Sequence, residues 1–271
     1  MIAKVLGPLQ VTLNGTSVVP TALKARKLLA VLILNRGRVV QRATIERELW
    51  GNDAPMSAST GIQNCIMQIR KSLGCAGGRG PYRALPKETL ITEPTGYRLE
   101  VPGEQFDISC YRALVATAAE AQEQGDLTQA SAQLNNALSL WRDAPLSDIP
   151  VGAVLQSHVL RLAEDRKSVL SQRLALDLKL RRYSEVLGEL RALTALHPYD
   201  EVLHEYLMLA LHLSGRRNDA LAAYQDVRNA LAAGTGLEPA PRLQSLQRRI
   251  LNADDTLELG FVGRPAELAR R

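Results

Sequence analysis

Apolar positions along the first hundred residues come in short runs whose period changes. Ala3–Leu6 and Gln10–Leu13 are brief strand-like runs separated by Gly7-Pro8, Asn14-Gly15 is a hairpin turn signal, and Val18-Val19 supplies a further strand. The period then lengthens. Residues 22–35 carry Leu23, Lys27, Ala30, Val31 and Leu34 at helical spacing, while Leu28, Leu29, Leu32 and Ile33 widen the apolar face. This predicts a buried helix with basic residues at its start, stopped by Gly37. A second helix is predicted over 41–50, closed by Gly51, with Ile45, Leu49 and Trp50 on its inner side. A third is predicted over 57–73, where Ile62, Ile66, Ile69 and Leu73 form one buried stripe. Residues 89–92 and 97–101 then read as two strands around the turn Glu93-Pro94-Thr95-Gly96. Strands, three helices and a terminal hairpin, in that order, predict an α+β winged helix-turn-helix.

From Asp107 onward the pattern is helical almost throughout. Similar helix-closing and helix-opening stretches surround Ala130, Val186 and Ala220. The second interval is 34 residues, the tetratricopeptide period, and the first is 56, which leaves room for a loop over 141–152. Leu134, Leu190 and Tyr224 each follow four residues later, and Pro198 lies where such a repeat commonly ends. The expected fold is therefore mainly α, with an all-α tetratricopeptide-like domain after the winged helix. Stacked helix pairs of this kind bury a continuous core and offer a face to protein partners. The boundary falls near 103–106. It divides the chain into 1–103, 104–252 and a tail over 253–271.

Charge follows the same division. The chain is +5 overall, but 1–103 holds 14 Lys and Arg against 6 Asp and Glu, whereas 104–271 holds 19 against 22. A basic first domain beside a slightly acidic second one is the pattern expected when only the first touches a polyanion. With 46% apolar and 23% charged residues, the composition excludes a disordered or fibrous chain, and 4% aromatics leaves the core to Leu, Ala, Val and Ile. No apolar run approaches the ~18–20 residues that span a bilayer. The start lacks the anatomy of a signal peptide. Three cysteines without a CxxC indicate neither a disulfide framework nor a zinc knuckle. The expected location is cytoplasmic, associated with the nucleoid.

The outer side of the third helix is where chemistry concentrates. It carries Thr60, Gln63, Asn64, Met67, Gln68, Arg70 and Lys71. A helix with small uncharged polar side chains enters a major groove and hydrogen-bonds base edges, and basic neighbours hold phosphates. Thr60, Gln63, Asn64 and Met67 are the candidates for base contact. Lys24, Arg26, Lys27, Arg70 and Lys71 are the candidates for phosphate, and Thr95 and Arg98 belong to the wing. The three cysteines read as ordinary small apolar residues, with an approach of Cys65 to DNA as a second reading. A polar helix face alone fits any surface helix; the joint pattern of local charge, helix order and hairpin points to DNA. The four histidines (158, 197, 204 and 212) have no completing cluster, Asp53 reads as a turn residue, and no catalytic or phosphate-loop motif is present. No enzyme, metal or cofactor is expected.

These stretches also resemble a family. VLGPLQVTLNG, LKARKLLAVLILNRGRVVQRATIERELWG, TGIQNCIMQIRKSLG and ITEPTGYRLEV look like the OmpR-type DNA-binding domain in its Streptomyces antibiotic regulatory protein (SARP) form. LSLWRDAPLSDI, LHPYDEVLHEYLMLALHLSGRRNDALAAYQDVRNAL and GLEPAPRLQSLQRRIL look like the bacterial transcriptional activation domain that follows it. The resemblance implies an activator of an antibiotic or other secondary-metabolite gene cluster. It would bind promoter DNA with tandem direct repeats near the −35 region, beside a second copy of itself, and recruit RNA polymerase through a sigma factor or the α subunit. Phe261–Leu268 resembles the opening of the nucleotide-binding module found in large members. Two other readings stay open: an interaction adaptor without DNA affinity, and a ligand-gated sensor acting through the repeat domain.

Overall fold

The structure is a computed structural model and describes residues 1–76, 89–100 and 105–254. Part of the expected boundary at 103–106, residue 101 of the second wing strand and the tail segment 261–268 lie outside the described residues. By packing, the chain forms two compact units, Met1–Thr117 with Asn135–Lys167, and Ala118–Leu134 with Ser168–Arg271. Residues 107–117 and 135–167 thus belong to the same unit as the winged helix.

The first unit opens with β1 (Ile2–Lys4), β2 (Gln10–Leu13) and β3 (Thr16–Ser17). The β2–β3 turn is Asn14-Gly15 with φ of 51° and 79°, the twin left-handed pair of a tight hairpin. The third strand lies at Thr16–Ser17, two residues before the expected Val18-Val19, and Val18 N still continues the pairing by donating to Val11 O at 2.9 Å. A strand the sequence did not announce, β7 (Gln105–Phe106), pairs in parallel with β1 and completes the sheet order β3-β2-β1-β7. Three helices follow β3: α1 (Leu23–Leu34), α2 (Arg42–Trp50) and α3 (Ala58–Ala76). Every residue of α1 from Leu28 to Ile33 is buried, which explains its apolar breadth. A short β4 (Val39–Gln41), also unannounced, precedes α2. It forms a second sheet with β5 (Leu90–Glu93) and β6 (Gly96–Leu99), in the order β4-β6-β5.

Gly96 is fixed by this second sheet. A Cβ there would overlap the carbonyl oxygen of Val40, so only glycine lets β6 lie against β4 in this register. The turn is tied down as well, because Arg42 N donates to Thr95 O at 3.0 Å.

The rest of the first unit comes from α4 (Asp107–Glu123), α5 (Leu127–Ser139) and α6 (Ala153–Lys179), whose residues are shared between the two units. The loop over 141–152 packs on the N-terminal strands. Arg142 N donates to Leu6 O at 2.9 Å and Leu146 N to Gly7 O at 2.8 Å. Trp141 meets Tyr111 edge-on, with ring centroids 5.5 Å apart. The Asp107 carboxylate accepts from Val5 N (2.7 Å), Leu6 N (2.9 Å) and Ile108 N (2.9 Å). Burial raises its pKa, and the backbone donors oppose the shift.

The second unit is built on α7 (Tyr183–Leu196), α8 (Glu201–Leu213), α9 (Arg217–Thr235) and α10 (Pro241–Leu251). Its core holds Val186, Leu190, Ala220 and Tyr224, the phased positions of the repeat, around an α8 buried from Leu203 to Leu211. Asp200 caps α8, accepting from Val202 N and Leu203 N. A buried polar cluster also holds this unit: Ser131 Oγ donates to Asp177 at 2.6 Å, and Arg173 donates to the same carboxylate at 3.0 Å.

Among the described residues no helix is long and apolar enough to cross a membrane.

Candidate nucleic-acid interface

The candidate recognition element is α3. Its inner side buries Ile62, Cys65, Ile66, Ile69 and Leu73 against the rest of the three-helix core. Cys65 therefore packs as a small apolar residue, on the opposite side from the exposed stripe, and not toward DNA as in the second reading. Helical rotation puts it between Ile62 and Ile69, and burial raises its thiol pKa despite the opposing charge of Lys24.

The outer side is fully consistent in exposure. Thr60, Gln63, Asn64, Gln68 and Lys71 are all exposed, and Met67 is 63% exposed. Spacings of three and four residues align Thr60, Gln63, Asn64, Met67 and Lys71 along one stripe. The side chains that reach out from its first three turns are a hydroxyl, two amides and a thioether.

Trp50, at the end of α2, sets the approach of α3. Its ring carbons Cζ2 and Cη2 lie 3.0 Å from where a Cβ on Gly61 would stand, so the small residue at the first turn of α3 lets the indole pack closely. On the other side the Lys24 ammonium sits 4.5 Å from the indole ring centroid. Lys24 is exposed and is held near the start of α3 through Trp50. Trp50 lies on the inner side of α2, as the sequence pattern placed it; it is half-buried and serves as a platform between α1 and α3.

The other cations are placed differently from one another. Lys71 is exposed and Lys27 half-buried. Arg26 forms an ion pair with Asp148, whose other oxygen accepts from Leu9 N at 2.7 Å. Arg70 turns toward the hairpin. Its Nη2 donates to Leu90 O at 2.7 Å and to Thr92 Oγ1 at 2.8 Å, and its Nε to Leu90 O at 3.3 Å. Arg98 lies along the hairpin itself, donating to Glu93 at 2.9 and 3.0 Å and pairing with Glu100. Hydrogen bonds to Glu93 and then Glu100 hold its pKa above the ordinary guanidinium value. Thr95 is exposed at the hairpin tip. The structure thus brings Thr60, Gln63, Asn64, Met67 and Lys71 to one face of α3, with Lys24 exposed over Trp50 at its flank. It draws Arg26, Arg70 and Arg98 into intramolecular bonds.

Among the described residues no group of three or more His, Cys, Asp or Glu is arranged to hold a metal ion. His204 is buried within α8, and His158 is half-buried near Arg161 and Glu48.

Comparison with known proteins identifies the two domains. The family described as "Transcriptional regulatory protein, C terminal" matches residues 16–99, and the family described as "Bacterial transcriptional activator domain" matches residues 106–251. The chain is 40% identical over 258 residues to the regulatory protein DnrI of Streptomyces peucetius, covering 95% of this chain and 94% of that protein. It is 35% identical to the regulatory protein AfsR of Streptomyces griseus, covering 97% of this chain but 25% of that longer protein. Among solved structures it is similar to Mycobacterium tuberculosis EmbR in complex with a low-affinity phosphopeptide. The TM-score is 0.82 at 34% identity, over 96% of this chain and 69% of that one.

Proposed function

The chain belongs to the Streptomyces antibiotic regulatory protein family, and from that premise we propose that it activates a secondary-metabolite gene cluster by binding tandem direct repeats near a promoter's −35 region and recruiting RNA polymerase. It is a transcriptional regulator with an OmpR-type DNA-binding domain and a bacterial transcriptional activation domain. The observation that carries the proposal is the outer stripe of α3, an exposed row of uncharged side chains leading to Lys71, with Lys24 exposed at its flank.

Amides such as Gln63 and Asn64 pair bidentately with adenine in the major groove, and an apolar side chain such as Met67 suits a thymine methyl. Thr60, nearest the helix start, reaches either a base edge or a phosphate. Lys24 and Lys71 supply the salt-dependent part of the affinity, with Lys27 beside them. Arg26, Arg70 and Arg98 are left with structural duties, and Thr95 carries the wing's contact. Two copies bind head-to-tail on direct repeats one or two helical turns (~10.5 bp each) apart. The helical repeat domain offers its surface to the polymerase. We place the protein in the cytoplasm, on the nucleoid.

Fluorescence anisotropy over a series of salt concentrations tests this. The probe is a duplex carrying paired direct repeats from the protein's own cluster, beside a scrambled control. The expected result is tight, cooperative, repeat-dependent binding with a steep negative salt slope. Equal weak binding to both duplexes, unchanged by RNA polymerase holoenzyme, overturns it in favour of an interaction adaptor.

A further inference from the structure

Arg70 sits on the recognition helix two positions from the Gln68 side chain and next to Lys71, yet its guanidinium is spent on the wing. Among the described residues β5 is the edge strand of its sheet, paired with β6 on one side. Thr89 O faces inward and accepts from Glu100 N at 2.8 Å. The next carbonyl, Leu90 O, alternates to the outer edge, where no further strand pairs among the described residues. Arg70 fills that place. Nε and Nη2 both donate to Leu90 O, and Nη2 also donates to the Thr92 hydroxyl one pleat further on. The planar fork bridges two points of the strand with two nitrogens, a geometry a lysine cannot copy.

We infer that Arg70 is a positioning residue that locks the wing to the recognition helix, so that both elements meet DNA as one rigid reading head. The inference rests on the DNA-binding reading above. Three features of the hairpin agree with it. Arg98 braces the hairpin from within by bridging Glu93 and Glu100. Thr95 O is held by Arg42 N at the start of α2. Gly96 closes against Val40. The wing is thus anchored at its base by β4, at its turn by α2, and along its outer edge by α3 through Arg70. Between Glu93 and Glu100 it carries two carboxylates and one guanidinium, so it contributes shape and a hydroxyl rather than counterion release.

A positioning role and a phosphate contact predict different binding data. Full-length wild type, Arg70→Gln, Thr92→Val, their double variant and Lys71→Gln are titrated against the direct-repeat duplex over a series of salt concentrations. Amide exchange of residues 90–99 is followed in the free proteins. For Arg70→Gln the expected result is about tenfold weaker binding, the scale of one coupled contact, with an unchanged salt slope. Thr92→Val weakens binding by itself and adds nothing in the Arg70→Gln background. Hairpin amide exchange speeds up in Arg70→Gln. Lys71→Gln instead lowers the slope by about 0.9 and leaves hairpin exchange as in wild type. A slope reduced by about 0.9 in Arg70→Gln, full additivity with Thr92→Val, or unchanged hairpin exchange each overturns the inference. Wild-type protein without salt-dependent DNA binding overturns the functional reading beneath it, whatever the exchange data show.

Discussion

Glu48 of α2 holds the start of α6 through Gly152. The Glu48 carboxylate, 2% exposed, accepts from Gly152 N (2.6 Å), Val154 N (3.0 Å) and Leu155 N (2.9 Å). A Cβ on Gly152 would overlap the Glu48 carbonyl oxygen. A buried carboxylate of the helix-turn-helix is thus the N-terminal cap of a 27-residue helix more than a hundred residues later.

Glu48→Gln is expected to destabilise the protein by about 3 kcal/mol. The neutral amide turns one donor toward backbone N–H groups that a charged acceptor had satisfied. Gly152→Ala is expected to act through the same contact, so the double variant costs less than the two singles together. Urea midpoints of the four proteins check both statements, and strict additivity would count against the shared contact.

A fragment ending at residue 103 is expected to be less stable than the intact chain. It lacks β7 and the Asp107 acceptor for Val5 N and Leu6 N, and it leaves Arg26 without Asp148. Far-ultraviolet circular dichroism during urea unfolding tests this. A fragment that unfolds cooperatively at the full-length midpoint contradicts it.

Gly96→Ala is expected to disrupt the wing while leaving the helices folded. The added methyl cannot avoid the Val40 carbonyl oxygen without breaking the β4–β6 register. The cost should exceed about 2 kcal/mol, as for other backbone clashes without an escape route. Nuclear magnetic resonance of the 39–41 and 96–99 amides reports it directly.

Gln63→Ala and Asn64→Ala are expected to lower discrimination between the direct-repeat and scrambled duplexes, by about 1–3 kcal/mol per lost bidentate contact, at constant salt slope. Lys24→Ala should weaken binding to both duplexes alike and reduce the slope by about 0.9. Competition titrations at two salt concentrations separate the outcomes.

Acid should weaken the fold well above the carboxylate range. Burial lowers the pKa of His158, aided by Arg161 and opposed by Glu48. Burial also lowers that of His204, opposed by a hydrogen bond at Pro198 and by Asp200, Asp226 and Glu201. The folded protein then binds fewer protons than the unfolded chain, whose histidines titrate near about 6.5. Stability is fully present above that value and is lost as pH falls through it toward the depressed folded values. Asp107 and Glu205, both raised by burial, act in the opposite sense from a window that opens near about pH 4. Urea midpoints at about pH 7.5 and about pH 5.5 should therefore fall, and fall less in His158→Gln and His204→Gln.

Local pattern by itself determined a large share of this protein. The isoleucine stripe of α3, the buried breadth of α1, the Asn14-Gly15 hairpin and the phased core positions Val186 and Ala220 all follow from periods of two and 3.6 that one window of sequence displays. Those same periods put Gln63, Asn64 and Met67 on the outer side of α3. Tertiary structure decided what no window contains. β4 and β7 are two or three residues long and exist because Tyr97 and Ala3 wait for them far away in the chain. The placing of Cys65 depended on which flank of the apolar stripe the core reached. The fates of the arginines depended on distant acceptors: Arg26 finds Asp148, Arg70 finds the edge of β5, and Lys71 beside it stays in solvent. Apolar burial is written in local repetition because one helix face can meet only one core. A charged group's partner is set by folding, because the Coulomb and hydrogen-bond terms that choose it act between residues brought together only when the chain has closed.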